Sequence, residues 1–211
     1  MRLRGLPGLF AELAAPPACA VCGSDCGSGA ILCTRCERGL ARGSGRRLWI
    51  DGIDSAWAAR SYEGVVRDLI GAIKFRRLVP AVRRAAELIS DEVPAELLDG
   101  PLVPVPADPV RYALRGFDPA HGLARALAES TDRRLLECLR RPHGRRQVGR
   151  SRDERLDSPP RVSALWPLPT LPLVLVDDVS TTGATLAASA AALRRAGCVD
   201  IRAVVLAAAP A

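Results

Sequence analysis

Residues 173–185 read Leu173-Val174-Leu175-Val176-Asp177-Asp178-Val179-Ser180-Thr181-Thr182-Gly183-Ala184-Thr185. The first four are apolar and rich in Val, the pattern of a strand buried on both faces of a parallel sheet. Asp177 and Asp178 follow at its C-terminal end. A core strand has no use for two unpaired carboxylates, because burying charge is costly. The hydroxyl-rich turn behind them carries Gly183, which lets the backbone come close to a ligand. A helix is expected from Ala184 to about Ala196, with Arg194 and Arg195 in its last turn and Gly197 just past its end. The amides of the turn, including that of Ala184, and the hydroxyls of Ser180, Thr181, Thr182 and Thr185 can hold a phosphate at the helix N-terminus. The carboxylates can hold sugar hydroxyls or a magnesium ion. Ligands of open α/β sheets bind at the carboxyl ends of strands. Together these features suit a sugar phosphate. The plain alternative is an ordinary strand, turn and helix with a Thr-rich cap, and it leaves both acids unexplained. No Gly-Lys-Ser/Thr is present, so the turn is not a Walker A loop.

Around this stretch lie 211 residues, enough for one α/β domain with a sizeable core and a small appendage. Aromatic residues make up only 4%, so Ala, Val and Leu must build that core. The net charge of +7 allows anionic substrates or nucleic acid and proves neither. Lys74 is the only lysine among 30 Lys and Arg residues. No run of 18 apolar residues exists, so no membrane span is expected. Arg2, Arg4 and an apolar stretch faintly suggest a signal peptide, but Pro7 and Glu12 interrupt it. The expected location is cytoplasmic.

The cysteines carry the second chemical signal. Five of the seven fall between positions 19 and 36. Cys19-x2-Cys22 and Cys33-x2-Cys36 have the spacing of a tetrahedral four-cysteine zinc site, with Cys26 as a competing fifth thiol. Four thiolates leave no open coordination position, so the zinc is structural. An odd cysteine count with such pairs argues for metal in a reducing compartment rather than a disulfide framework. A redox pair or a degenerate finger is the alternative. Zinc ribbons can touch nucleic acid, yet this one lacks interleaved aromatics and has only Arg35 and Arg38 nearby.

Taken in order, residues 3–14 are expected to form a short amphipathic helix, and 39–48 a Gly- and Arg-rich linker. Strand-like segments surround Trp49 and Trp57. A helix is expected over 62–78, with Val65, Val66, Leu69, Ile70 and Ile73 at helical spacing. Lys74 lies near its end and complements the helix dipole. A second helix runs from Pro80 to about Ile89. Residues 101–106 read as a short strand entering a turn. In the stretch 108–118, Arg111, Arg115 and the close backbone of Gly116 suit a second anion site, with a solvated arginine loop as the alternative. A helix from Pro119 to Glu129 and strands at 135–139 and 200–207 complete the pattern. Residues 140–157 are Arg-rich and read as a mobile loop. A lid excluding water, solvated disorder and a nucleic-acid surface are all open readings. His121 and His143 are given surface or loop roles.

Residues 173–185 resemble the phosphoribosyl-diphosphate motif of the type I phosphoribosyltransferase family. Further pieces are the four-cysteine cluster, Tyr62 with Lys74 downstream, Val103-Pro104-Val105-Pro106, Arg115-Gly116-Phe117 and Arg146-Gln147. In this order they resemble the ComF family of bacterial phosphoribosyltransferase-like proteins. That resemblance implies an α/β fold, a parallel sheet flanked by helices, with a small N-terminal zinc-binding module. It divides the chain into 1–45, an N-terminal helix and the module, and 46–211, the phosphoribosyltransferase-like domain. It implies Mg2+-dependent binding of 5-phosphoribosyl 1-diphosphate, with Asp177 and Asp178 at the ribose hydroxyls and residues 180–185 at the 5-phosphate. Arg111, Arg115, Gly116 and Lys74 join the substrate-binding set. Some relatives are linked to DNA uptake, so DNA or a DNA-uptake protein is an implied partner, with a non-catalytic accessory as the alternative role. The family pattern has amides where this chain carries Asp118 and Asp157.

Overall fold

The computed structural model describes residues 18–76, 79–142, 160–165 and 168–210. The expected helix over 3–14 and most of the 140–157 loop, with His143, lie outside the described residues.

The chain begins with the cysteine knuckle and helix α1 (Thr34–Leu40). Strands β1 (Arg46–Leu48) and β2 (Ser55–Ser61) follow as an antiparallel pair. Next come helices α2 (Gly64–Arg76) and α3 (Val79–Glu92), a short 3-10 turn at Ala95–Leu98, and strand β3 (Leu102–Pro104). Helices α4 (Pro109–Arg115) and α5 (Pro119–Thr131) lead to the two-stranded pair β4 (Leu139–Arg140) and β5 (Ser163–Ala164). Strand β6 (Leu173–Ser180), helix α6 (Ala184–Arg195) and strand β7 (Ile201–Ala208) close the chain.

The main sheet runs β1-β2-β7-β6-β3, and every pairing but the β1 edge is parallel. This is the expected α/β architecture. Alternation along β6 divides the core. Val174 and Val176 face a cluster built with α2, α3 and α5. Leu173 and Leu175 face a second cluster that contains Leu186, Ala190 and Leu193 of α6. All four β6 residues are fully buried, as their unbroken apolar run requires.

Three local readings change. Residues 39–48 are not a plain linker: α1 ends in them, and Arg46, Arg47 and Leu48 pair with Ala58, Trp57 and Ala56. An edge strand needs no apolar pattern, and charge on it discourages further pairing. The stretch 108–118 is not a loop. Asp108 accepts the Val110 and Arg111 amides as N-cap, Pro109 stands at the first helical position, and Gly116 ends the helix with φ +61°. The expected strand at 135–139 shrinks to a single bridge from Leu135 to Leu102 and the short β4.

Candidate functional site

Strand β3 pairs with β6 only as far as Pro104 opposite Val176. Beyond it the chain turns away, held by the Val105 amide on the Val176 carbonyl at 3.0 Å. The ladder to β7 continues to Ser180 opposite Ala208. Residues 177–180 therefore lie in the strand, further along than the sequence pattern implied, with one edge open. The connection before β6 packs α5 on one face of the sheet, and the one after it packs α6 on the other. The open edge is thus the crevice where such sheets bind ligands.

A cleft of about 340 Å³ fills it, lined by Lys74, Arg111, Arg115, Asp177, Asp178 and Thr185 among others. The acid pair splits by strand alternation. Asp178 faces α2, and its Oδ2 lies 2.8 Å from Lys74 Nζ. That contact is an ion pair without hydrogen-bond alignment, since Oδ2 is buried with no directed donor. Asp177 sits on the α6 side and accepts the Asp178 amide at 2.8 Å. Burial pushes the Asp177 carboxyl well above its ordinary value, and the neighbouring Asp178 charge pushes the same way.

Behind the acids is a smaller hollow of about 40 Å³, formed by Asp177 and residues Val179 to Leu186. It contains Ser180, Thr181, Thr182, Gly183, Ala184 and Thr185 together. Among the described residues, the amides of Thr181, Thr182, Gly183 and Thr185 meet no acceptor, and the Ala184 amide has only a 3.4 Å contact with Thr182 Oγ1. Open amides at a helix N-terminus are anion donors. Gly183 has φ +74°, and a Cβ there would sit 3.4 Å from Ile50 Cγ1. Ile50 gave no signal in the sequence because its role is visible only in tertiary packing.

Across the cleft, Arg111 and Arg115 lie one turn apart on α4, and the Arg115 guanidinium stacks 5.3 Å from the Phe75 ring centre. Gly116 lies outside the lining and serves the helix end. Tyr62, Asp118 and Arg141 also line the cleft. Arg141 pairs with Asp108 at 3.0 Å. Asp118 caps α5 through the His121 amide and also accepts the Ala107 amide. Burial raises its carboxyl above the ordinary value against those two bonds. An acid thus does the work of a capping amide. His121 itself pairs with Glu137 at the surface.

The second site is the knuckle. The sulfurs of Cys19, Cys22, Cys33 and Cys36 all lie within 4.8 Å of one another, with Cys22 and Cys33 at 3.6 Å. Tetrahedral bonds of roughly 2.3 Å imply sulfur separations of about 3.8 Å, so the donor set fits zinc. The Ser24 hydroxyl and amide and the Arg35 guanidinium pull the Cys22 thiol down to about 5. Burial pushes Cys36 up. Cys26 lies outside the set, 3.3 Å from the Ala30 carbonyl.

A 144-residue stretch of the chain is 28% identical to the Competence protein ComFC of Streptococcus pneumoniae. The match covers 67% of this chain and 63% of that protein's length, in agreement with the resemblance drawn from the motifs. No family model matches the chain. Among the described residues no helix is long and apolar enough to cross a membrane.

Proposed function

We propose that this chain is a cytoplasmic phosphoribosyltransferase-like protein of the ComF type, binding 5-phosphoribosyl 1-diphosphate in the cleft beside β6. The observation that carries the reading is the acid pair on an open strand edge, next to a turn in which the amides of Thr181, Thr182, Gly183 and Thr185 meet no acceptor among the described residues. The turn and the hydroxyls of Ser180, Thr181, Thr182 and Thr185 hold the 5-phosphate. Asp177 and Asp178 accept the ribose hydroxyls. Arg111 and Arg115 meet the diphosphate as it leaves. During transfer the bond from the anomeric carbon to the diphosphate breaks, and an acceptor atom bonds to that carbon. The carboxylates stabilise the positive charge growing there, and the anchored phosphate supplies orientation. Mg2+, carried in with the diphosphate, would be held by Asp177 or Asp178 and would neutralise the leaving group. The zinc at Cys19, Cys22, Cys33 and Cys36 is structural, and the division into 1–45 and 46–211 belongs to the same reading.

Calorimetry with 5-phosphoribosyl 1-diphosphate and Mg2+ tests it. The wild type binds, and the Asp177→Asn, Asp178→Asn double variant does not. Equal binding by both would remove the acid pair from the site. Pyrophosphate release across a panel of amines and bases then identifies the acceptor.

One observation favours a second reading, an accessory that binds single-stranded DNA. Trp49 is 84% exposed, with the Arg47 guanidinium 4.7 Å from its ring centre. Arg35, Arg38 and Arg42 are exposed on the neighbouring segment. A stacking ring among cations is what such binding uses. It supplies the aromatic that the cysteine knuckle lacks. Salt-dependent anisotropy that vanishes in Trp49→Ala supports this reading, and no affinity at low salt removes it.

A further inference from the structure

Among 30 Lys and Arg residues this chain keeps one lysine, and its ammonium touches the acid pair. The side chains of Lys74 and Asp178 are only 20% and 12% exposed. Arginine serves everywhere else, so the choice at this position has a physical content. A guanidinium would grip the carboxylate with two aligned bonds from a planar fork. An ammonium is a point charge on a flexible stem, and here it makes a close contact without hydrogen-bond alignment. Such a partner can let go.

The other cations of the cleft are placed differently. Arg141 is paired with Asp108, and Arg111 and Arg115 project from α4. Among the described residues, Lys74 is the cleft cation that pairs with the acid pair, and it lines the open volume beside it. A hydroxyl that donates to Asp178 Oδ2 must displace the ammonium. A displaced, largely buried ammonium then needs a new anion, because an uncompensated buried charge is costly.

We propose that Lys74 is a positioning and specificity residue: it holds Asp178 while the cleft is empty and passes its ammonium to the diphosphate of an arriving ligand. The diol site then opens readily only for a ligand that brings a diphosphate along with its diol. No covalent bond changes in this exchange. Ribose 5-phosphate can reach the turn and the acids, but it strands the ammonium. 5-Phosphoribosyl 1-diphosphate gives it a partner. The inference rests on the proposed reading of the cleft and adds the residue that discriminates between the two sugars.

The test measures both ligands by calorimetry, with Mg2+, on the wild type, Lys74→Gln and Lys74→Arg. The wild type prefers the diphosphate by about a hundredfold, and Lys74→Gln cuts that ratio by about tenfold, mainly by weakening the diphosphate. Lys74→Arg does not restore it, because the fork grips Asp178. Matching thermal midpoints establish that the variants fold. Reductive 13C-methylation of the wild type gives a second readout, because a single lysine yields a single side-chain signal. That signal shifts with the diphosphate and stays with ribose 5-phosphate. A wild type that binds neither sugar overturns both this inference and the proposed function. A wild type that binds while Lys74→Gln keeps the full ratio, or while the lysine signal ignores the diphosphate, overturns the inference alone.

Discussion

Asp177 and Asp178 are neighbours in the chain and opposites in setting. Asp178 is buried with an ammonium beside it, whereas half-buried Asp177 is pushed up by desolvation and by the Asp178 charge. The folded state therefore favours the protonated form of Asp177. A carboxyl whose folded value is raised lends its stability fully below the ordinary 3.8 and loses it as pH rises through the folded value. Asparagine at position 177 keeps an oxygen for the Asp178 amide and carries no charge at any pH. Asp177→Asn should thus melt higher than the wild type at pH 7, by on the order of 1 kcal/mol or about 2–4 °C. The gap should close as the pH is brought down toward the ordinary carboxyl value. Melting curves across that range check it, and a variant less stable at pH 7 contradicts the assignment. Under the proposed function the same variant should also weaken ligand binding, so the acid would be a functional group kept at a cost in stability. Gly183 poses the complementary case. At φ +74° a side chain costs about 1–2 kcal/mol in the backbone alone. Gly183→Ala should weaken binding of ribose 5-phosphate about tenfold while secondary structure measured by circular dichroism stays unchanged.

At the scale of elements, one buried arginine ties four segments together. Arg60 of β2 is 5% exposed and donates to the Leu40 carbonyl at the end of α1. It pairs at 2.9 Å with Glu92 of α3, whose other oxygen accepts the Gly45 amide just before β1. Removing Glu92 leaves the guanidinium unpaired. Glu92→Ala should cost about 2–3 kcal/mol, short of a fully buried pair because Glu92 is 28% exposed. Arg60→Met in the same background should recover part of that loss, as denaturant titrations can measure. Neither residue stood out in the sequence, because the pairing spans distant segments. The β6 strand, its turn and α6 were legible because each signal is local: an apolar run, adjacent acids, a glycine and a C-terminal Arg pair. Helix α4 was not, since none of its residues is buried and it carries no apolar period. Its capping residues, Asp108, Pro109 and Gly116, read equally well as loop punctuation. The Lys74–Asp178 contact was likewise beyond reach, although both residues were singled out separately.

For the whole molecule, the decisive question is whether the cysteine knuckle is a separate body. Its buried residues, Cys19, Leu32, Cys36 and Leu40, belong to the same cluster as α2, α3 and α5. Gly39 meets Val65 so closely that a Cβ there would lie 2.5 Å from Cγ2. Glu37 takes three hydrogen bonds from Arg84 of α3. The knuckle is therefore a wall of the main core, and α2, against which it packs, carries Lys74 into the cleft. Metal binding by such a cluster contributes directly to folding, since the thiolates have no preformed site in the unfolded chain. The ligands must be deprotonated to hold the ion, so acidification should protonate them and release it. Chelation at neutral pH should accordingly lower the melting temperature of the entire chain in one transition, with the loss of one zinc per chain measured by atomic absorption. It should also weaken 5-phosphoribosyl 1-diphosphate binding, because the support of α2 is gone. Two separate transitions, with the sheet melting unchanged after chelation, would mean that the knuckle folds on its own and that the shared core counts for little.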